Sequence, residues 1–263
     1  MTAAASEPSV RVERDGAVAT LALNEPKTMN AMSAGIKAGI EDNLPGLLAD
    51  PQVRAIVITG TGKAFCAGGD IRSMDDRGTL SVRNRMTRTY RWLIPLLTAD
   101  KPIICAVNGA AAGAGLSLAL TGDLILASRD ARFKAGFPGL GAAADLGLAY
   151  TLPRAIGYQR ASDILLTNRE VSAEEAHAMG LVARLVEPEA LMATTMEVAR
   201  ALAAGPTVSL GLTKRLLRRA YELPVEGFLE QEAMSQVVAF GSEDFAEGVA
   251  AFKGKRKPDF RGR

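Results

Sequence analysis

Asp145 stands in the run Gly139-Leu-Gly-Ala-Ala-Ala-Asp-Leu-Gly147, a carboxylate among small apolar residues, downstream of two glycine-rich loops. Apolar surroundings disfavour the charged form of an acid and raise its pKa toward the range where a general base is useful. Proton shuttling is therefore one reading of Asp145. The other is an N-cap for the helix predicted over residues 146–152, since Asp is a favoured cap.

The two loops upstream offer chemistry of a different kind. Ala55-Ile-Val-Ile-Thr-Gly-Thr-Gly-Lys-Ala-Phe-Cys-Ala-Gly-Gly-Asp-Ile71 reads as a buried β-branched strand followed by glycine punctuation, with Ala67-Gly68-Gly69-Asp70 opening a helix. A second unit follows, with strand residues 103–107, the turn Asn108-Gly109, and Gly113-Ala114-Gly115 opening an apolar helix through Leu120. Successive N–H groups at such turns form an anion-binding concavity, and two of them could supply the donors of an oxyanion hole.

Other motifs fail on their own terms. Gly60-Thr-Gly-Lys63 lacks the four-residue gap and the Ser/Thr of a phosphate loop, and Gly113-Ala-Gly115 lacks the third glycine of a dinucleotide fingerprint. The uncharged stretch 102–122 has membrane-like hydropathy, but its turn and four glycines suit a strand–helix pair better. His177, the one histidine, reads as an exposed helix residue, and Cys66 and Cys105 as small buried hydrophobes. No metal-ligand cluster or His-activated nucleophile can be assembled from these.

The elements that must position the loops follow from pattern. Residues 10–14 and 18–23 predict a hairpin around Asp15-Gly16, and helices are predicted over residues 33–48 and 79–97. The polar stretch 72–78 reads as a loop beside the site. From Pro188 onward the pattern is helical, broken near Gly205-Pro206 and Leu223-Pro224. One α/β domain with a helical tail is expected. Thirty-one Lys+Arg against 29 Asp+Glu leave a net charge of +2, and 5% aromatic residues offer no base-stacking surface, so nucleic acid is not an expected partner. The first residues show no signal pattern and two cysteines imply no disulfide framework, so a reducing cytoplasm is the default location and no membrane partner is expected.

Across residues 10–263 the chain resembles the crotonase (enoyl-CoA hydratase/isomerase) superfamily. The resemblance rests on Leu23-Asn-Glu-Pro-Lys-Thr-Met-Asn-Ala-Met32, on Ala64-Phe-Cys-Ala-Gly-Gly-Asp-Ile71, and on Lys101-Pro-Ile-Ile-Cys-Ala-Val-Asn-Gly109 with Gly113-Ala-Gly115, followed in family order by segments near residues 153–157, 173–182 and 242–258. It implies a repeated ββα spiral core over residues 1–190 and a C-terminal helical oligomerisation region over 191–263, within one functional unit that forms trimers or hexamers. It places an acyl-CoA thioester as substrate, with coenzyme A part of that substrate and no separate cofactor or metal. The oxyanion donors would be the N–H groups of Ala67 and Ala114. Lys27, Met29, Ala67, Gly68, Gly69, Asp70 and Ile71 would meet the coenzyme A handle, and Phe252 and Lys255 would reach a neighbouring subunit's handle.

Departures from the family pattern sharpen the expectation. Ser117 and Phe137 stand where water-adding members carry two glutamates, whereas Asp145 stands where some double-bond-shifting members keep an acid. The resemblance is thus nearest to single-acid isomerases of the Δ3-to-Δ2 enoyl-CoA or phenylacetate ring type, acting in fatty acid or aromatic acid metabolism. Two alternatives remain: a hydratase or other crotonase-type reaction drawing a carboxylate from Asp75 or Asp76, and an acyl-CoA-binding protein without chemistry.

Overall fold

The β-branched runs near the start pair as the predicted hairpin in the computed structural model, which describes residues 7–73 and 75–263. β1 (Val10–Asp15) lies antiparallel to β2 (Val18–Leu23), and Asp15 pairs with Val18, so the turn residues are Gly16 and Ala17, one place later than expected. α1 (Ala34–Ala49) follows, begun by Ser33, whose Oγ accepts from the Ile36 N–H at 3.1 Å.

A unit of two strands and a helix then repeats. β3 (Ala55–Gly60) leads to β4 (Ala64–Cys66) and α2 (Thr79–Thr98). β5 (Ile103–Val107) leads to β6 (Ala110–Ala112) and α3 (Ala114–Ala119). β7 (Leu124–Ser128) leads to β8 (Arg132–Lys134) and the pair α4 (Leu148–Ile156) and α5 (Tyr158–Thr167). β9 (Glu170–Ser172), α6 (Ala173–Ala178) and β10 (Arg184–Val186) close the series. In the three units begun by β3, β5 and β7 the first strand joins a six-stranded sheet of order β1-β2-β3-β5-β7-β10 and the second a four-stranded sheet of order β4-β6-β8-β9, which β10 and β9 complete. This alternation is the ββα spiral the resemblance implies.

Parallel pairing from β2 to β10 requires cover on both faces of the larger sheet. With side chains alternating along each strand, Ile56, Ile58, Ile103, Cys105 and Val107 join a core with Ile36 and Ile40 of α1 and Trp92 and Leu96 of α2. Ala55, Val57, Ile104 and Ala106 face the other way, onto Leu191, Val198, Ala199 and Ala203 of α7 (Leu191–Ala203). α8 (Thr207–Arg219), α9 (Val225–Phe240) and α10 (Glu243–Lys253) follow the breaks read at residues 205–206 and 223–224. Buried Lys214 ties α8 to the core, its Nζ 2.6 Å from Asp123 and donating to the Lys101 carbonyl at 2.9 Å.

Two local expectations are corrected. No α-helix opens at residues 67–70; a single 3-10 turn, Ile71–Ser73, follows instead, and α2 begins only at Thr79. The second glycine loop does open α3, but the short strand β6 intervenes after Asn108-Gly109.

Candidate active site

The two glycine loops meet backbone to backbone. A Cβ on Gly68 would lie 2.9 Å from the Ala112 carbonyl oxygen, and φ there is 107°, so a side chain is opposed by both space and conformation. A Cβ on Gly115 would overlap the Cys66 carbonyl. Glycine at these positions lets β4 and α3 approach closely enough for the loops to share one space.

The segment before α1 is stitched to the same place. Asn30 is fully buried at φ 54°; its Nδ2 donates to the Thr61 and Ala64 carbonyls at 2.9 and 2.8 Å, and its Oδ1 accepts from the Glu25 N–H at 2.8 Å. The Met32 N–H donates to the Gly68 carbonyl at 2.7 Å. Met29 is thereby set against the 67–71 loop, its carbonyl accepting from the Ala67 N–H, and Lys27, two residues earlier, is exposed. Asn30 itself was not singled out by sequence reasoning. Its signal was present, since asparagine tolerates the left-handed region better than most residues.

The expected donor Ala67 is already occupied: its N–H donates to the Met29 carbonyl at 2.9 Å. Two residues on, the N–H of Gly69 donates to no described residue, and neither does that of Ala114, the first residue of α3. These two free donors follow directly on Gly68 and Gly113, whose Cα atoms adjoin across the loop contact.

Asp145 is not a helix cap. α4 begins at Leu148 with Gly147 as its N-cap, and no side chain caps it. The carboxylate is half-buried, and Oδ1 is buried without a hydrogen-bond partner. Burial raises its pKa above the usual carboxylate range, and the ammonium of Lys37 on α1 pulls it part of the way back. The next residue, Leu146, has φ 50° while its side chain is buried in the core. A non-glycine residue held in that region costs about 1–3 kcal/mol, and such strain clusters at functional sites.

Residues 13–263 match the family described as enoyl-CoA hydratase/isomerase. The chain belongs to this family. A relative from Escherichia coli, named 1,2-epoxyphenylacetyl-CoA isomerase, is 39% identical over 250 residues, covering 94% of this chain and 95% of its own. A short-chain-enoyl-CoA hydratase of Clostridium acetobutylicum is 32% identical, with 95% and 96% covered. The crystal structure of an enoyl-CoA hydratase subunit I from Geobacillus kaustophilus superposes with a TM-score of 0.91 at 37% identity, covering 97% of this chain and 98% of that one.

The remaining residues picked out by family membership fall in distinct places. Ser117 and Phe137 are buried; the Ser117 hydroxyl reaches the carbonyl oxygens of Gly113 at 3.2 Å and Asp145 at 3.0 Å, and Phe137 packs in the core. Neither can exchange a proton at neutral pH. Asp76 accepts from the Gly78 N–H at 3.0 Å, and hydrogen bonds from Ser81 and Gly78 hold its carboxyl below the usual range. Phe252 and Lys255 sit at the end of α10, where Phe252, 87% exposed, lines a hollow of about 390 Å³ with Pro206, Phe240, Phe245 and Phe260. That hollow shares no residue with the Lys27–Ile71 cluster.

The other reactive groups lie apart from this chemistry. Burial pushes the Cys66 thiol up to about 11 and that of Cys105 to about 12, so both stay protonated. His177 is exposed on α6, its Nδ1 2.9 Å from the Val182 carbonyl oxygen. Among the described residues no three His, Cys, Asp or Glu side chains gather to hold a metal, and no helix is long and apolar enough to cross a membrane. The stretch 102–122 is instead β5, β6 and α3.

Proposed function

We propose that this protein is an acyl-CoA isomerase that shifts a double bond, either Δ3 to Δ2 or within a ring-derived acyl group, through a thioester enolate. Gly69 and Ala114 N–H groups hold the thioester oxygen as it gains charge, and Asp145 takes a proton from one carbon and returns it to another. The observation that carries this reading is the Asp145 carboxylate: half-buried, with Oδ1 unpartnered, doing no capping work, in a site where Ser117 and Phe137 supply no second acid. A water-adding site needs one group to activate water and another to deliver a proton, whereas a proton moved along a carbon chain needs one. The name of the Escherichia coli relative supports the same class, with coenzyme A carried by the substrate.

The oxyanion assignment moves from Ala67 to Gly69, because a donor spent on Met29 cannot also serve the substrate. Preorganised donors of this kind are each worth roughly 3 kcal/mol of barrier. Lys27, Met29 and residues 67–71 contact the coenzyme A handle, and Phe252 and Lys255 reach the handle held by a neighbouring copy in a trimer or hexamer. A hydratase is the second reading, favoured by the name of the Clostridium relative. Purified protein assayed on 3-enoyl-CoA and on crotonyl-CoA separates the two. Isomerisation with slow hydration supports the proposal, and hydration near the enzyme median of about 10 per second overturns it.

A further inference from the structure

The loops around the candidate site are stacked through three glycines. A Cβ on Gly113 would lie 3.7 Å from the Cα of Gly68, and one on Gly136 would lie 3.2 Å from the Gly113 nitrogen and 3.4 Å from its Cα. Gly113 is the residue before Ala114, and its own N–H is spent on the Lys134 carbonyl at 3.0 Å. The backbone that presents the Ala114 N–H therefore rests against Gly136 as well as Gly68.

What holds Gly136 is a side chain. β8 and β9 pair antiparallel as far as Lys134 with Glu170, a register that two residues further on brings Gly136 opposite Asn168. Strand pairing has ended there, and Asn168 stands at φ 55° as the C-cap of α5. Its amide oxygen takes over from the ladder, accepting from the Gly136 N–H at 2.7 Å. The amide nitrogen borders the next turn, 3.2 Å from where a Cβ on Gly139 would lie. Glycine is the usual residue at such a cap and would meet the backbone's need. Asparagine also tolerates the left-handed region, and it brings an acceptor that glycine lacks.

We propose that Asn168 is a positioning residue for the second thioester-oxygen donor: its amide oxygen holds Gly136 against Gly113, and so fixes the peptide that presents the Ala114 N–H. Donors stabilise a developing oxyanion only when they are already in place, and a misplacement of about 1 Å can cost on the order of 100-fold in rate. Gly136 also opens the segment that runs through Phe137 to Asp145, where the Ser117 hydroxyl meets the Asp145 carbonyl oxygen at 3.0 Å. Asn168 and Ser117 thus secure the two ends of one loop, the first from α5 and the second from α3. This inference rests on the reading of the Ala114 N–H as a thioester donor, which an isomerase and a hydratase share.

The test reads the infrared band of the carbonyl in bound 13C-labelled butyryl-CoA, a saturated thioester with no double bond to move. Steady-state kinetics are measured beside it, on whichever of 3-enoyl-CoA and crotonyl-CoA the protein turns over. Asn168→Gly keeps the left-handed backbone and deletes the acceptor. Its band should move from the wild-type position toward the solution frequency, and kcat should fall about 10-fold with KM little changed. Asn168→Asp supplies an acceptor oxygen again and should return both toward wild-type values. A merely structural bond would lower stability and leave band and kcat where they were, and that outcome overturns the proposal. Should Asn168→Gly fail to fold, Asn168→Leu is read in its place: leucine is close to asparagine in shape, has no acceptor, and already stands at φ 50° in this chain at Leu146. A wild-type band at the solution frequency marks a different failure, in which the donor reading of Ala114 falls and the role of Asn168 falls with it.

Discussion

The Ser117 hydroxyl donates to the Asp145 carbonyl oxygen at 3.0 Å, joining the first turn of α3 to the residue that carries the free carboxylate. At a position where hydratases of the family are expected to hold an acid, serine thus anchors the backbone of an acid on another segment. Ser117→Ala removes that tie from a segment whose next residue, Leu146, is held at φ 50°. Turnover should fall by roughly 10-fold with KM little changed, and stability by about 1 kcal/mol. Steady-state kinetics with urea unfolding checks both, and an unchanged kcat would make the bond incidental.

Asp145→Asn should lower isomerase turnover by ~100-fold or more, in line with general-base contributions. Its stability effect runs opposite to that of losing a cap, because Gly147 holds the cap position. The folded pKa of Asp145 is raised, so the native state binds the proton more tightly than the unfolded chain. Stability from this group is therefore lost as pH climbs from the unfolded carboxylate value through the folded one, and ionised Asp145 is a cost at neutral pH. The Asn variant should melt at or above the wild-type temperature at pH 7, with the difference shrinking in acid. A lower Tm at neutral pH, by the amount a lost cap gives, would restore the capping role.

Much of this site was legible because glycines mark turns and close backbone approaches that a side chain would oppose. The paired loops, the strand–helix units and Asp145 could be read in order along the chain. What could not be read was which N–H remained free: Ala67 and Gly69 are two residues apart, and only the fold shows that Met29 claims the first. The start of α2 was hidden for a related reason, since glycines that resemble a helix opening here serve a close loop contact.

The shift of the oxyanion donor to Gly69 can be tested at the bond it concerns. Gly69→Pro deletes that N–H, so the infrared band of a bound 13C-labelled thioester carbonyl should move back toward its solution frequency. Turnover should drop by about 100- to 1,000-fold, the usual consequence of losing one such donor. A band and a rate that stay at wild-type values would return the role to another donor.

Asn30 should prove more costly than its polar type implies. Three hydrogen bonds of 2.8–2.9 Å join its side chain to Glu25, Thr61 and Ala64, and no water reaches the residue. Asn30→Ala leaves one N–H and two carbonyl groups without that partner and places an alanine at φ 54°. At about 1 kcal/mol for each bond, with the backbone penalty added, the loss should come to roughly 3–5 kcal/mol in urea unfolding. The same clamp holds residues 25–32 against the Gly68 loop, so KM for the acyl-CoA should rise along with the loss of stability. A variant that binds substrate normally while losing stability would confine Asn30 to folding and separate the clamp from the handle site.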